Sequence, residues 1–256
     1  VVDPHDRSLW ISLGCALENT VIAGRSYGLA GAVRYPDATA PYITAHLATD
    51  SPAAERLFDA IPLRQNTRSA YDGTSVDVQT LRQIDAIRLE DGVGLKLITD
   101  RAELETVVEY VNAGNMQQYA DKAFVDELIH WLRFNEGEAL ASLDGLYSKC
   151  SGNPTVPRWL GKMFVSGTKP AQQAAADAKK LRSSAGAVII TAERDDIASW
   201  VRVGRVYERL ALTMTALDVR SALLNQPIEA PDIRPQLQSA MGLGAHLPQL
   251  LVRFGH

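Results

Sequence analysis

The chain has 256 residues, of which 46% are hydrophobic and 22% are charged, and its formal net charge is -4 at pH 7. This composition is typical of a globular protein with one large core or two cores packed together, and it excludes a disordered chain. The negative charge argues against a nucleic-acid partner, because phosphate neutralisation needs a concentrated basic face. No run of about 18 apolar residues occurs, so we expect no membrane span.

The segment from Asp6 to Val33 is rich in apolar residues and predicts a long helix that is buried on most of its surface. Asp6 or Ser8 is its predicted N-cap. Two glycines, Gly28 and Gly31, end the helical pattern, and a short strand is predicted to follow.

This helical pattern occurs twice in the chain. The same three residue types, Trp, Gly and Glu, recur with three residues between successive members, and the second set lies 190 positions after the first. The two sets are Trp10, Gly14 and Glu18, and Trp200, Gly204 and Glu208. Two copies of one buried helix predict two copies of one lobe, with chance similarity between two apolar helices as the alternative.

The repeat also predicts where the lobes lie. Only nine residues precede Trp10, whereas a long segment precedes Trp200. We therefore expect residues 1–50 to be the C-terminal half of a first lobe, whose front half lies outside this sequence, and residues 51–256 to be the second lobe. With two lobes in one chain, we expect a monomer that acts as a pseudo-dimer, or a homodimer.

Hydrophobic periodicity and turn residues predict the other elements in chain order. The predicted strands are residues 32–35, 42–48, 94–99, 187–192 and 249–254. The predicted helices are residues 51–60, 76–87, 101–116, 120–134, 171–182 and 234–241, together with a second central helix from Asp195 or Asp196 to about residue 219. Residues 225–229 are predicted to form the loop beyond that helix.

Two arginines and an amide lie close together at Arg64, Asn66 and Arg68. In an extended or single-turn conformation they converge on one anion, and the planar guanidinium fork suits bidentate contact with phosphate oxygens. The spacing alone leaves open a second interpretation, in which both arginines are solvated in a loop.

Residues 137–170 are rich in Gly, Asn, Pro and Ser and predict an irregular loop that is too long for a simple connection. Its aromatic residues Tyr147, Trp159 and Phe164 predict that it packs on the protein, either on the core or beside a binding cleft. We expect this loop to act as a lid that narrows access to a ligand.

Conventional catalytic arrays do not occur in the sequence. It has no nucleophile elbow, no P-loop, no dinucleotide fingerprint and no His/Cys pair at metal-ligand spacing, and its histidines are scattered. We therefore predict no catalytic side chain and no metal site, and expect a bound cofactor to supply any chemistry.

The order and spacing of eight segments, which run nearly from end to end, resemble the nitroreductase family and in particular its two-lobed Acg-like branch. The segments are DPHDRSLWISLGCALENTVIAGRSYGL, VRYPD, LRQNTRSAY, DELIHWLRF, DGLYSKCSGNP, LRSSAGAVIIT, WVRVGRVYERLALTMTALDV and LPQLLVRFG. The resemblance implies an α+β fold of antiparallel-rich sheets flanked by helices. It also implies two pseudo-twofold-related lobes whose central helices pack together, with FMN in a cleft between the lobes.

The resemblance also implies a set of cofactor-binding residues. The family binds the FMN phosphate through an Arg-x-Ser-x-Arg motif, whose positions are Arg64, Asn66 and Arg68 in this chain. Asn replaces Ser, but its amide still donates to a phosphate oxygen. The loop after the second central helix approaches the flavin ring in the family, which implies that Gln226 and Pro227 lie beside the ring.

Two family elements are not found and would fall outside this sequence. One is a Ser/Asn-containing segment from the opposite lobe, before Val1, and the other is a group of basic residues after the closing strand, beyond His256.

The implied function is that of an FMN-dependent oxidoreductase, which takes hydride from NAD(P)H and reduces small nitroaromatic or quinone-like molecules. An FMN-sequestering protein, in which the lid covers the flavin, is the alternative, and a structural protein that has lost the flavin is a third interpretation. We expect a cytoplasmic location, and an exported form stays open because the natural start of the chain is expected to precede Val1.

Overall fold

The computed structural model describes residues 3–37, 39–51 and 55–256, and within them helices flank antiparallel sheets, which confirms the predicted α+β class. The helices are Arg7–Ser26 (α1), Val78–Asp85 (α2), Arg101–Ala120 (α3), Lys122–Trp131 (α4), Glu136–Ser142 (α5), Arg158–Ser166 (α6), Pro170–Arg182 (α7), Ile197–Ala216 (α8), Gln226–Glu229 (α9) and Arg234–Ala240 (α10). The strands are Leu29–Arg34 (β1), Thr44–Thr49 (β2), Val93–Ile98 (β3), Leu132–Arg133 (β4), Leu146–Tyr147 (β5), Gly186–Ala192 (β6), Arg220–Leu223 (β7) and Leu247–Gly255 (β8).

The main sheet has four strands in the order β3-β6-β8-β7, and each neighbouring pair is antiparallel. Every residue of β6 is buried, as its continuous apolar run predicts. Successive side chains of a strand point to opposite faces, so β6 and β8 contribute to two cores. One core contains residues of α1, α2 and α8, and the other contains residues of α3, α7, α9 and α10.

The two central helices, α1 and α8, pack directly on one another, as predicted, and cross at two glycines. A Cβ atom built on Gly14 would lie 2.2 Å from the carbonyl oxygen of Val201, and one built on Gly204 would lie 2.0 Å from that of Ile11. No side chain fits at either position, so glycine is what allows the helices to approach this closely.

Contacts around this crossing are reciprocal along the chain. Both helices have 20 residues, and their first residues, Arg7 and Ile197, are 190 positions apart. Glu18 accepts a hydrogen bond from Arg209, while Glu208 accepts one from Asn19, the residue 190 positions before Arg209. An isologous contact has this pattern, and the internal repeat and the twofold relation between lobes stay predictions.

The first helix differs from its prediction in length and burial. It ends at Ser26 rather than near Val33, and Leu9 and Leu13 are exposed, because only one side of α1 faces α8. The predicted cap residues do not cap it. Instead, Asp3 Oδ2 accepts hydrogen bonds from the backbone N–H groups of Ser8 and Leu9.

Three loop and helix predictions are also corrected. The predicted helix 51–60 falls partly on residues 52–54, outside the described residues, and residues 55–63 form consecutive turns. Residues 137–170 contain most of α5 and all of α6, so this segment is more regular than its glycine and proline content indicated. Residues 226–229 form the short helix α9 in place of the predicted loop.

We expect Gly204→Ala to lower the free energy of unfolding by about 1–3 kcal/mol, the usual cost of overpacking a core. Its Cβ atom has no space beside Ile11, so one helix must shift. Gly24→Ala in α1 is the matched control, because a Cβ atom there meets nothing closer than 3.5 Å and alanine favours a helix. Urea denaturation measures both variants, and equal effects would contradict the prediction.

Candidate functional site

A cavity of about 800 Å³ lies beside the β7–β8 edge of the main sheet. Its walls come from α7, from the two strands, and from residues 137–170, which we call the lid segment. The volume falls within the range of roughly 300–1,000 Å³ that is usual for small-molecule and cofactor sites. Most of its apolar wall consists of aliphatic and aromatic side chains, among them Leu128, Leu132, Phe134 and Phe164.

Positive charge dominates the polar wall of this cavity. Arg68, Lys180 and Arg253 line it, against the single carboxylate of Asp177. The Nζ atom of Lys180 lies 3.0 Å from Asp177 Oδ1, so these two charges neutralise each other. Within the described part of the chain, neither Arg68 nor Arg253 is ion-paired with a carboxylate, and the cavity is therefore suited to an anionic ligand.

Of the three predicted phosphate-binding residues, Arg68 lines the cavity and the other two contact α8. Arg68 Nη1 donates to Ser151 Oγ of the lid segment at 3.2 Å. Asn66 Oδ1 accepts a hydrogen bond from the Tyr207 hydroxyl at 3.1 Å. The structure thus separates the side chains of a motif that the sequence places within five residues.

Arg64 is held at the helix crossing. Its Nε atom lies 3.0 Å from Oε1 of Glu208, whose side chain is 1% exposed. Burial raises the pKa of Glu208, and the positive charge of Arg64 opposes that rise. Arg64 therefore has a structural partner, and its contact with a phosphate stays a prediction.

The predicted ring-side residues lie at the start of α9. Gln226 lines the cavity, and its Nε2 atom donates to Asp177 Oδ2 at 3.0 Å, while its Oε1 atom is buried without a donor. Pro227 is buried beside it against α3. The approach of α3 depends on Gly114, because a Cβ atom there would lie 2.8 Å from the Pro227 nitrogen. Arg68 and Gln226 are thus brought to one cavity.

Asp177 is the hydrogen-bond acceptor that orients the polar side chains on this side of the cavity. It is buried on α7 and accepts hydrogen bonds from three amide groups and one ammonium group. The donors are Asn115, Gln173, Lys180 and Gln226. One carboxylate therefore fixes side chains from α3, α7 and α9.

Asp177, Lys180 and Arg253 were not predicted from the sequence. The first two stand in a polar helix, where nothing distinguishes them from solvated residues. Arg253 could have been identified, because it is a lone charged residue in the apolar closing strand. A buried charge needs hydrogen-bond partners, so such a position indicates a specific contact.

The lid segment contributes more lining residues to this cavity than any other segment, and its role as a lid stays a prediction. Its aromatic side chains are less buried than expected, with Trp159 69% exposed and Phe164 58% exposed. The expectation that both would pack away from water is wrong, because α6 turns only part of its surface inward. Phe164 nevertheless lines the cavity, whereas Trp159 does not.

Two features of other kinds of site are not found. Among the described residues, no cluster of three or more His, Cys, Asp or Glu side chains is arranged to hold a metal ion. No described helix combines the length and the apolar character that a membrane span requires.

Two curated relatives come from Mycobacterium tuberculosis, strains CDC 1551 / Oshkosh and H37Rv, and are provisionally named NAD(P)H nitroreductases. Each is 25% identical to this chain over 272 aligned residues, which cover 99% of the chain and 72% of the relative. No protein-family model matches the chain.

A solved structure with a TM-score above 0.5 shows the fold. The FMN-dependent nitroreductase NfnB from Mycobacterium smegmatis, solved in complex with NADPH, matches with a TM-score of 0.53 and 14% identity over 79% of this chain and 88% of its own. A nitroreductase from Bacteroides fragilis, solved with bound FMN, matches with a TM-score of 0.45 and 14% identity over 78% of this chain and 87% of its own. The chain has the nitroreductase fold, as its resemblance to the family implied.

Asp177→Ala is expected to lower the free energy of unfolding by at least about 1–3 kcal/mol, the cost of one buried donor left without an acceptor. Asn115, which is fully buried, loses this acceptor for its amide group. Asp126→Ala is the control, because it removes only an exposed ion pair with Lys122. Chemical denaturation compares the two variants, and an effect of Asp177→Ala no larger than that of the control would refute the assignment.

Proposed function

We propose that this chain, which belongs with the nitroreductases in sequence and fold, binds FMN in the 800 Å³ cavity and is an NAD(P)H-dependent oxidoreductase of small organic molecules. The observation that carries this proposal is the meeting of Arg68 and Gln226 at one cavity. The resemblance had assigned these two residues to opposite ends of the flavin, and they lie 158 positions apart in the sequence.

The residues present fit FMN. A phosphate dianion requires positive charge that is not already neutralised, and Arg68 and Arg253 supply it at the cavity. A flat ring system requires an apolar slot, which residues such as Leu132 and Phe134 supply. The buried Gln226 Oε1 atom lacks a donor, and a bound ligand that offers an N–H group would relieve that deficit after a small side-chain adjustment.

Arg68 is the residue we assign to the phosphate, and Gln226 and Pro227 are those we assign to the ring side. Asn66 and Arg64 border the same segment, and we propose that they contribute once the contacts with Tyr207 and Glu208 are exchanged for the phosphate. The bound flavin supplies hydride acceptance and donation, and the side chains named here bind and orient it. We assign no side chain as a general acid or base.

The substrates we propose are nitroaromatic or quinone-like molecules. The aliphatic and aromatic wall of the cavity favours flat apolar acceptors, and its positive charge favours anionic ones. The same charge favours approach of the nicotinamide phosphates.

FMN sequestration is the second candidate, and one observation favours it. The lid segment forms a large part of the cavity wall and contacts Arg68 through Ser151. A lid that opens allows turnover, whereas a lid that stays closed favours storage. The rate at which NADPH bleaches the bound flavin under anaerobic conditions separates the two functions.

The reciprocal contacts between α1 and α8 support a further part of this proposal, which concerns the lobes. We propose that residues 1–50 are the C-terminal half of a first lobe and residues 51–256 a second lobe. The assembly would be a monomer that acts as a pseudo-dimer, or a homodimer. Sedimentation equilibrium at several protein concentrations distinguishes the two.

Arg68→Ala is expected to weaken FMN binding by about tenfold to a hundredfold, because it removes at least one charge-assisted hydrogen bond to the phosphate. Riboflavin, which lacks the phosphate, should bind the variant and the parent protein equally. Quenching of flavin fluorescence measures both affinities. Arg182→Ala is the control, since Arg182 is exposed, is paired with Glu105 and does not line the cavity. An Arg68 variant that keeps its FMN affinity would remove Arg68 from the site.

Phe164→Ala is expected to raise kcat/KM several-fold for a bulky nitroaromatic acceptor and much less for a small one, because it shortens a side chain at the cavity wall. Trp159→Ala is the matched control, as Trp159 is exposed on the same helix but does not line the cavity. Steady-state NADPH oxidation measures the rates. Equal effects of the two substitutions would mean that the lid segment does not limit access.

A further inference from the structure

We propose that Arg253 of β8 is a positioning residue that holds the backbone on both sides of Arg68, so that selection of FMN over riboflavin depends on Arg253 as well as on Arg68. This inference rests on the proposed function. It concerns a residue of the sheet that neither the spacing of the arginine motif nor the comparisons indicated.

The geometry of Arg253 is that of a clamp. Its Nη2 atom donates to the carbonyl oxygen of Thr67 at 3.1 Å and to that of Ser69 at 2.7 Å. These carbonyls belong to the residues immediately before and after Arg68. A single nitrogen therefore fixes the direction in which the chain presents the Arg68 side chain.

Tyr71 completes the clamp. The Arg253 guanidinium carbon lies 4.0 Å from the centre of the Tyr71 ring, so the ring stacks on the cation. The Tyr71 hydroxyl donates to the same Thr67 carbonyl oxygen at 3.0 Å. The segment containing Arg68 is thus held by two side chains that also contact each other.

Burying the charge of Arg253 costs free energy, which indicates that the residue does more than fill space in the core. Arg253 is 1% exposed, and it stands on the face of β8 that also carries the buried Leu251. An apolar residue on that face would avoid the penalty of burying a charge. Burial lowers the pKa of Arg253, but an arginine stays protonated in proteins.

The backbone near Arg68 is already attached to the sheet by another contact. The Thr67 N–H donates to the carbonyl oxygen of Ser221 in β7 at 2.9 Å. The contacts of Arg253 therefore orient the backbone at Arg68, and they are not the only contacts that attach this segment to the sheet. Since Nε of Arg253 is buried without an acceptor, the guanidinium is also not saturated by the protein.

A double-mutant cycle tests the proposal, with FMN and riboflavin affinities measured by quenching of flavin fluorescence. Arg253→Lys keeps the charge but cannot span both carbonyls in the same planar geometry. We expect it to weaken FMN binding by about tenfold while leaving riboflavin binding unchanged. If Arg253 acts through Arg68, the variant carrying both Arg253→Lys and Arg68→Ala should bind FMN no more weakly than Arg68→Ala alone.

Two results would overturn the proposal. One is an Arg253→Lys protein with the parent preference for FMN over riboflavin, and the other is a double variant whose loss equals the product of the two single losses. If circular dichroism shows that Arg253→Lys does not fold, Tyr71→Phe replaces it as the test variant, because this substitution removes only the hydroxyl contact with Thr67. A Tyr71→Phe protein with unchanged FMN preference would then count against the clamp.

The test also separates this inference from the proposed function. A parent protein that binds neither FMN nor riboflavin refutes the proposed function itself. A parent protein that prefers FMN, combined with variants that keep the same preference, refutes the role of Arg253 alone.

Discussion

The contact between α1 and α8 at Gly14 and Gly204 is the constraint on which the rest of the structure depends. With no side chain at either position, the backbone of each helix touches the other. The other side of α8 packs on the main sheet, where its apolar residues share a core with β6 and β8. The glycines therefore allow the N-terminal helix to pack against the sheet-bound α8, and a larger residue at either position would push α1 and α8 apart.

This close crossing buries two carboxylates, Glu18 and Glu208, and a buried carboxylate needs cationic or amide partners. Glu18 forms ion pairs with Arg205 and Arg209 of α8, while Glu208 forms one with Arg64. The segment that begins at Arg64 is thereby brought against α8. Arg68, four residues further along, then reaches the cavity, so the helix crossing and the candidate site are connected by one short stretch of chain.

The positive charge of the cavity comes from residues in distant parts of the sequence. Asp177 neutralises Lys180 and orients the Gln226 amide, which leaves Arg68 and Arg253 as its positive groups without a carboxylate partner among the described residues. Their positive charge is not neutralised, because their contacts are to carbonyl oxygens, a hydroxyl and an aromatic ring. An anion with a flat apolar body matches both the charge and the walls.

The resemblance to the nitroreductase family implied the α+β class, and local patterns predicted some element bounds closely, since β6 and α7 lie within one residue of their predictions. The conformations of the turns at 55–63 and of the lid segment were predicted wrongly, because they depend on the surfaces that these segments pack against and not on hydrophobic periodicity. The family resemblance also singled out Arg68, through the arginine motif, and Gln226, through the loop after the second central helix. Only the tertiary structure decided that Arg64 pairs with Glu208 and that Arg253 holds the backbone on both sides of Arg68, because these partners are more than 140 residues apart and meet only after the sheet and helices have packed.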